Sequence, residues 1–152
     1  MKEYPKIETL FNRDEKTFKV KVGEWRLPEF EYLQHNQWLF TEKIDGTNIR
    51  VDWLPEVGIK FGGRTDDAQA PTFLLAKLQE LFPVEKMRLL YPDTPMCLYG
   101  EGYGAKIQKG GGNYISNGCG FILFDVLIDN WWLERGNVED IASKLGINTV
   151  PI

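Results

Sequence analysis

Histidine is almost missing from this sequence. His35 is the single copy and no serine–histidine–aspartate set accompanies it, so it is expected to be structural or exposed rather than catalytic. Cysteine is nearly as scarce. Cys97 and Cys119 show no metal-ligand spacing, which argues against a zinc site. Unpaired, they fit a reducing interior, although two cysteines can also pair. No apolar run is long enough to span a bilayer, and Met1-Lys2-Glu3-Tyr4-Pro5 lacks the apolar centre of a signal peptide. The expectation is a soluble, cytoplasmic protein with no membrane partner. Positive charge is not in excess. The formal net charge is -4, which argues against a broadly basic nucleic-acid coat but leaves room for a local basic groove. Repeats and low-complexity tracts are absent. The run Gly110-Gly111-Gly112 is not a P-loop, because no Gly-Lys-Ser/Thr follows it to open a helix.

What is present suffices for one core. The chain of 152 residues is 43% hydrophobic and 26% charged, an ordinary globular mix, and a single domain over 1–152 is expected. Residues 1–16 read as an irregular arm. Phe18, Val20 and Val22 alternate with lysines as a strand ended by Gly23, and Trp25–Gln34 reads as loop or short helix. The run Trp38-Leu39-Phe40, the turn Asp45-Gly46-Thr47 and the alternating Ile49, Val51 and Trp53 predict a hairpin. Pro55-Glu56 turns the chain into a third strand with Val57, Ile59 and Phe61, completing a meander. Thr72 is placed to cap a helix through Leu74, Leu75, Leu78, Leu81 and Phe82, stopped by Pro83, and a second helix is expected over Glu85–Leu90. Met96–Tyr99 reads as a short strand leading into a glycine-rich turn around Glu101, and 105–120 as a mobile loop. Phe121–Ile128 is apolar on both faces except at Asp125, as a central strand is. A last helix, capped by Asn137, buries Val138, Ile141, Ala142 and Leu145 and ends at Gly146. The fold class is α+β, a mainly antiparallel sheet with packed helices.

The residues that can carry chemistry lie at strand ends or beside glycines. Lys43 would sit at the hairpin mouth, where a cleft or a neighbouring cation favours the neutral, nucleophilic amine. The ordinary reading of a lysine beside Asp-Gly is a surface residue paired with Glu42 or Asp45. Glu101, between Gly100 and Gly102, can accept bonds from a ribose diol or hold a metal, or be a solvated turn residue. Arg64 follows two glycines and is either a phosphate clamp or a surface arginine. Phe124 is either core or a stacking surface for a purine. Asp125, inside an apolar strand, needs a partner or a task. Lys106, Gln108 and Lys109 either track a nucleic-acid backbone or form a solvated loop.

These residues, in this order, resemble the covalent nucleotidyltransferases: ATP-dependent RNA ligases, DNA ligases and mRNA capping enzymes. Glu42-Lys43-Ile44-Asp45-Gly46-Thr47-Asn48 resembles their motif I, and Tyr99-Gly100-Glu101-Gly102-Tyr103-Gly104 resembles motif III. Phe121–Val126 resembles motif IIIa, and Phe61-Gly62-Gly63-Arg64-Thr65 the arginine-bearing strand end between motifs I and III. Within the superfamily, motif I is most similar to that of the nick-sealing RNA ligase 2-like group. The resemblance covers about residues 38–130. It implies part of the nucleotidyltransferase fold, an ATP-grasp-like DNA/RNA ligase architecture. It also implies a lysyl-AMP intermediate on Lys43, ATP with Mg2+ or Mn2+, and joining of 5′-phosphate to 3′-hydroxyl ends. The implied partner is RNA, as nicked duplex or free ends, with DNA as an alternative. Glu42 and Ile44 would border the nucleotide, with Glu42 on the adenine side. Asn48 and Arg64 would contact phosphate or ribose, and Glu101 the ribose hydroxyls. Phe124 would stack on adenine and Asp125 would support the site, while Lys106, Gln108 and Lys109 would meet nucleic acid. No metal ligand is assigned. Motifs IV and V have no counterpart before Ile152, so the resemblance implies a domain truncated ahead of them, its adenylylation severely weakened and the 152-residue chain itself inactive or weakly active. A DNA ligase, a capping-type enzyme and a non-catalytic binding fragment of this fold are the competing readings.

Overall fold

Alternation in the sequence becomes two-faced strands in the structure, a computed structural model that describes residues 2–65 and 68–152. The chain forms two compact units, Pro5–Phe40 and Met1–Tyr4 with Thr41–Ile152, where the sequence showed no boundary.

In the smaller unit, β1 (Phe11–Arg13) pairs antiparallel with β2 (Val20–Trp25), and the Phe11 and Trp25 rings lie 4.8 Å apart. The connecting turn is built on Asp14, whose Oδ1 accepts the Thr17 N–H at 2.8 Å. Phe18 belongs to this turn with φ 56°, not to the expected strand, and β2 runs on through Gly23 to Trp25. The expected irregular arm therefore contains β1. Helix α1 (Pro28–Tyr32) opens with proline in its first turn, where a missing N–H costs nothing.

In the larger unit, β3 (Thr47–Leu54), β4 (Gly58–Gly62), α2 (Thr72–Leu81), α3 (Val84–Leu90), β5 (Met96–Gly104), β6 (Cys119–Ile128), β7 (Trp131–Trp132), α4 (Arg135–Leu145) and β8 (Asn148–Thr149) follow in order. They make a six-stranded sheet ordered β4-β3-β5-β6-β7, with β8 parallel to β6. The β3–β4 hairpin turns at Leu54–Gly58 as expected. The hairpin expected before it does not form. Trp38–Phe40 is exposed and in no strand, and β3 pairs only with β4 and β5. With β4 on one side of β3 and β5 on the other, β3 has no edge left for a further strand.

One face of the sheet is apolar. Ile49, Val51 and Trp53 of β3, Met96 and Leu98 of β5, and Phe121, Leu123 and Val126 of β6 form one cluster with Leu74, Leu78, Met87, Val138, Ile141, Ala142 and Leu145 from the helices. Trp53 donates its indole N–H to the Tyr91 carbonyl at 2.8 Å, so its polar tip is satisfied. Neither expected helix cap holds. Pro71 and Glu134 occupy the N-cap positions of α2 and α4 without side-chain capping bonds, and Thr72 and Asn137 lie inside the helices. Gly146 ends α4 in the left-handed conformation, φ 66°, as expected. Strand β5 is longer than its apolar start suggested and carries Glu101 mid-strand rather than in a turn.

Strands β5 and β6 are not in simple register. Tyr99 faces Asp125, but Gly100 faces Leu123, so Phe124 is the extra residue of a β-bulge. Before the bulge Phe121 and Leu123 face the helices; after it Val126 does. Ile122, Phe124, Asp125 and Leu127 are left on the opposite face.

Leu78 is fully buried and Leu89 is 83% exposed. Leu78→Ala is expected to destabilise the protein by about 2–5 kcal/mol in urea unfolding, with Leu89→Ala within about 0.5 kcal/mol of the parent.

Candidate active site

The face away from the helices carries the polar residues. Cross-strand pairing puts Asn48, Glu101 and Ile122 in one row, Arg50, Tyr99 and Asp125 in the next, and Asp52, Cys97 and Leu127 in a third. Directly opposed side chains share a face, so the sequence positions spread over 80 residues converge here by register alone.

Segment Glu42–Gly46 enters β3 as irregular chain that bends at Asp45 and Gly46 and belongs to no strand. Ile44 is its anchor, buried with Ile122 and Val150 and packed against Tyr103 and Phe124. Lys43 and Asp45, on either side of it, are exposed. The backbone is held at three points. Glu42 donates its N–H to the Pro151 carbonyl at 2.9 Å. Asp45 donates its N–H to the Tyr114 hydroxyl at 3.4 Å, and Gln108 donates its amide N–H to the Gly46 carbonyl at 3.0 Å. Gly46 must be glycine. A Cβ there would run into the Gly102 carbonyl and approach the Glu101 Cγ to 2.9 Å.

Glu101 is half-buried at the centre of this cluster. Burial pushes its carboxyl up to about 7; the Lys43 charge and a hydrogen bond from the Gly46 backbone pull it down, and Asp45 pushes it up again. Lys43, Asp45, Gly46 and Glu101 therefore form one electrostatic group. Opposite Glu101, Asn48 has a buried Oδ1 that accepts no hydrogen bond among the described residues. A buried acceptor without a donor is what a ligand hydroxyl would satisfy.

The bulge places Phe124 and Asp125 side by side. Phe124 bridges the Ile44 cluster and a second one of Cys97, Tyr99 and Leu127. Burial raises the Asp125 carboxyl, while the Tyr4 hydroxyl that donates to it and the charge of Arg135 lower it. Asp125 thus has the partner that a carboxylate in an apolar strand required. Tyr4 is raised in turn, by burial first and then by the bond to Asp125.

Arg64 lies at an exposed corner just past β4. The register Arg50↔Gly62 puts that corner at the Asn48 end of β3. Arg50, fully buried on the same face, donates its Nε–H to the Gly63 carbonyl at 2.7 Å and so fixes the corner. Lys106 and Lys109 are exposed on the loop after β5, and the structure brings neither to the cluster; only Gln108 reaches it. That loop is folded on itself, through Ala105 to Ile115 and through the 3-10 turn Gly111–Asn113, with the Tyr114 ring edge-on to Tyr103 at 5.8 Å.

Sequence reasoning missed Tyr4, Arg50 and Tyr114. The alternation Asn48, Arg50, Asp52 did signal Arg50, since all three had to share a face. Nothing local signals Tyr4 or Tyr114, which reach the site from 121 and 69 residues away.

The family model described as RNA ligase matches residues 36–152. Solved structures align at low identity. A Naegleria gruberi RNA ligase variant with ATP and Mn gives a TM-score of 0.66 at 21% identity, covering 99% of this chain and 48% of that one. An apo variant of the same ligase gives 0.62 at 21%, over 74% and 34%. An archaeal ATP-dependent RNA ligase gives 0.57 at 22%, over 72% and 29%. Likeness at that identity establishes the fold, and the chain spans less than half the length of each of these three. Comparison with curated proteins gives no match.

The raised Glu101 carboxyl sets a pH dependence. Its ordinary value is 4.5 and its folded value about 7, so between them the folded state keeps a proton that the unfolded state has released. The contribution of Glu101 to stability is full below 4.5 and is lost as pH rises through about 7. Urea midpoints across that window should fall with rising pH in the parent and fall less steeply in Glu101→Gln.

Proposed function

The chain belongs to the RNA ligase family, and from that membership we propose that Lys43 takes an adenylyl group from ATP and passes it to an RNA 5′-phosphate, which a 3′-hydroxyl then displaces. The observation that carries the reading is the grouping of Lys43 with Glu101 on the face that also holds Phe124. In the first step the Lys43 Nζ forms a bond to the α-phosphorus and the bond to pyrophosphate breaks. In the second, a 5′-phosphate oxygen takes the adenylyl group and the amine is released. In the third, the 3′-hydroxyl oxygen attacks the activated phosphate and AMP leaves.

The residues support these steps in distinct ways. Ile44, buried, turns Lys43 outward to the rim, where both a nucleotide and a polynucleotide end can reach it. Glu101 and Asn48, directly opposed, offer acceptors to the ribose hydroxyls. The Phe124 ring supplies the face for adenine, with Glu42 on the base side. Arg64, on its corner, is placed for phosphate oxygens through its planar donors. Lys106 and Lys109 offer charge to the RNA backbone.

The solved relative carrying ATP and Mn supports the same nucleotide and a divalent cation here. Among the described residues no group of three His, Cys, Asp or Glu comes together that could hold a metal ion. Magnesium is characteristically held by phosphate oxygens with one or two carboxylates rather than in a protein cage. Glu101 and Asp45, which sense each other beside Lys43, are the carboxylates that can share in holding it. Bound there, the cation would neutralise phosphate charge. Unpaired Cys97 and Cys119 support an intracellular setting.

Labelled ATP with magnesium, followed by a denaturing gel, tests the chemistry. The parent should retain label through denaturation, and Lys43→Ala and Lys43→Arg should retain none. Phe124→Ala should weaken ATP by roughly 5- to 150-fold, the equivalent of about 1–3 kcal/mol of base stacking. Nicked RNA, nicked DNA and hybrid duplexes then rank the acceptor, and GTP in place of ATP tests a capping-type reaction. Label retained in Lys43→Ala would overturn the assignment.

A further inference from the structure

The first described residues of the chain lie on the polar face of the sheet, and no step above uses them. Tyr4 donates its hydroxyl to Asp125 Oδ2. Its ring stands edge-on to Phe124 at 5.0 Å and to Trp132 at 5.6 Å, and tilted over Tyr99 at 5.2 Å. The segment is tied down a second time. The Tyr99 hydroxyl donates to the Lys2 carbonyl at 2.7 Å, and the Lys2 ammonium lies 5.7 Å from the centre of the Trp132 ring.

The two site residues that Tyr4 touches are the two that most need support. Phe124 and Asp125 are consecutive, yet the bulge turns both to one face. A bulge residue has lost its regular ladder partner, so its orientation is set by packing more than by the strand. Tyr4 supplies that packing to both at once, its ring to Phe124 and its hydroxyl to Asp125. The other groups facing Asp125 are Tyr99 from β5, opposite it in register, and the Arg135 charge from α4.

We propose that Tyr4 is a positioning residue of the nucleotide site: by holding the Phe124 ring and the Asp125 carboxylate it fixes the surface on which the base of ATP stacks. The role rests on the function proposed above. It is independent of any contact between Tyr4 and the nucleotide. A ring locked against an edge-on neighbour loses no rotamer freedom when a base lands on it, so preorganisation is read as affinity.

Tyr4→Phe removes only the hydroxyl and Tyr4→Ala removes ring and hydroxyl. In the Lys43 labelling reaction, Tyr4→Phe should raise the KM for ATP about threefold to tenfold, the scale of one ordinary net hydrogen bond acting through a neighbour, with the rate at saturating ATP within about twofold of the parent. Tyr4→Ala should raise KM further, so that phenylalanine partly rescues alanine. The acidic limb of the pH profile should move to higher pH in Tyr4→Phe, because Asp125 loses the donor that favoured its charged form. A merely structural role would lower the thermal midpoint and the labelled fraction and leave KM and the pH profile unmoved; that result in Tyr4→Phe, which keeps the ring packing, overturns the proposal. Label retained in Lys43→Ala would instead overturn the functional reading and this role with it.

Discussion

One skipped residue in the β5–β6 ladder decides what the polar face of this sheet contains. With regular pairing, Phe124 and Asp125 would point to opposite sides, one into the helix-covered core and one away from it. Either outcome would be poor. A carboxylate in a core of leucine, tryptophan and methionine costs several kcal/mol unless it is paired. The bulge removes the conflict by turning both residues outward, and Val126 restores the apolar side one position later. The same shift joins the two small clusters of the outer face, since Phe124 belongs to both.

That face is unusual in holding three carboxyls raised by burial: Asp52, Glu101 and Asp125. Each is offset by a different partner. Asp52 has the Cys97 thiol and the charges of Arg50 and Lys60 nearby, and it helps push that thiol up to about 12, which leaves the cysteine inert as a nucleophile. Asp125 has Tyr4 and Arg135. Glu101 alone is offset mainly by Lys43, a side chain on the exposed rim. The carboxyl whose partner is exposed is therefore the one beside the amine proposed to react. An anion arriving at Lys43 would draw that charge away from Glu101 and favour its protonated form further. The deeper pairs would be little affected.

Much of this arrangement was legible in the sequence, and what was not has physical causes. The alternation from Asn48 to Trp53 gave β3 both of its faces. The lone Asp125 in an apolar strand required a partner, and Tyr4 is that partner. The hairpin before Lys43 failed because pairing depends on an available edge, and β3 already has β4 and β5 on its two sides. The glycines around Glu101 suggested a turn, yet on a strand they serve close packing: a Cβ on Gly102 would press into Leu74 of α2. Strands β7 and β8 are two residues each and exist only through tertiary pairing with β6, so no periodicity announces them. Neither helix cap was right, because proline and glutamate entered the helices from extended backbone without a capping side chain.

The placement of Lys43 follows from burial of its neighbour more than from any bond of its own. Fully burying an isoleucine stabilises by about 1.5–3 kcal/mol relative to leaving it exposed, and Ile44 is 6% exposed between Ile122 and Val150. Its two neighbours, Lys43 and Asp45, are both left exposed. A deeply buried amine would be easier to deprotonate but could serve only a ligand small enough to follow it inside. Under the proposed chemistry, an amine that is adenylylated by a nucleotide and then unloaded by a polynucleotide end has to stay where both can reach it. Anchoring the backbone at Ile44, Asp45 and Gly46 while leaving the lysine side chain on the rim meets both demands. The precision lies in the strand entry, and the four-carbon stem of the lysine supplies the reach.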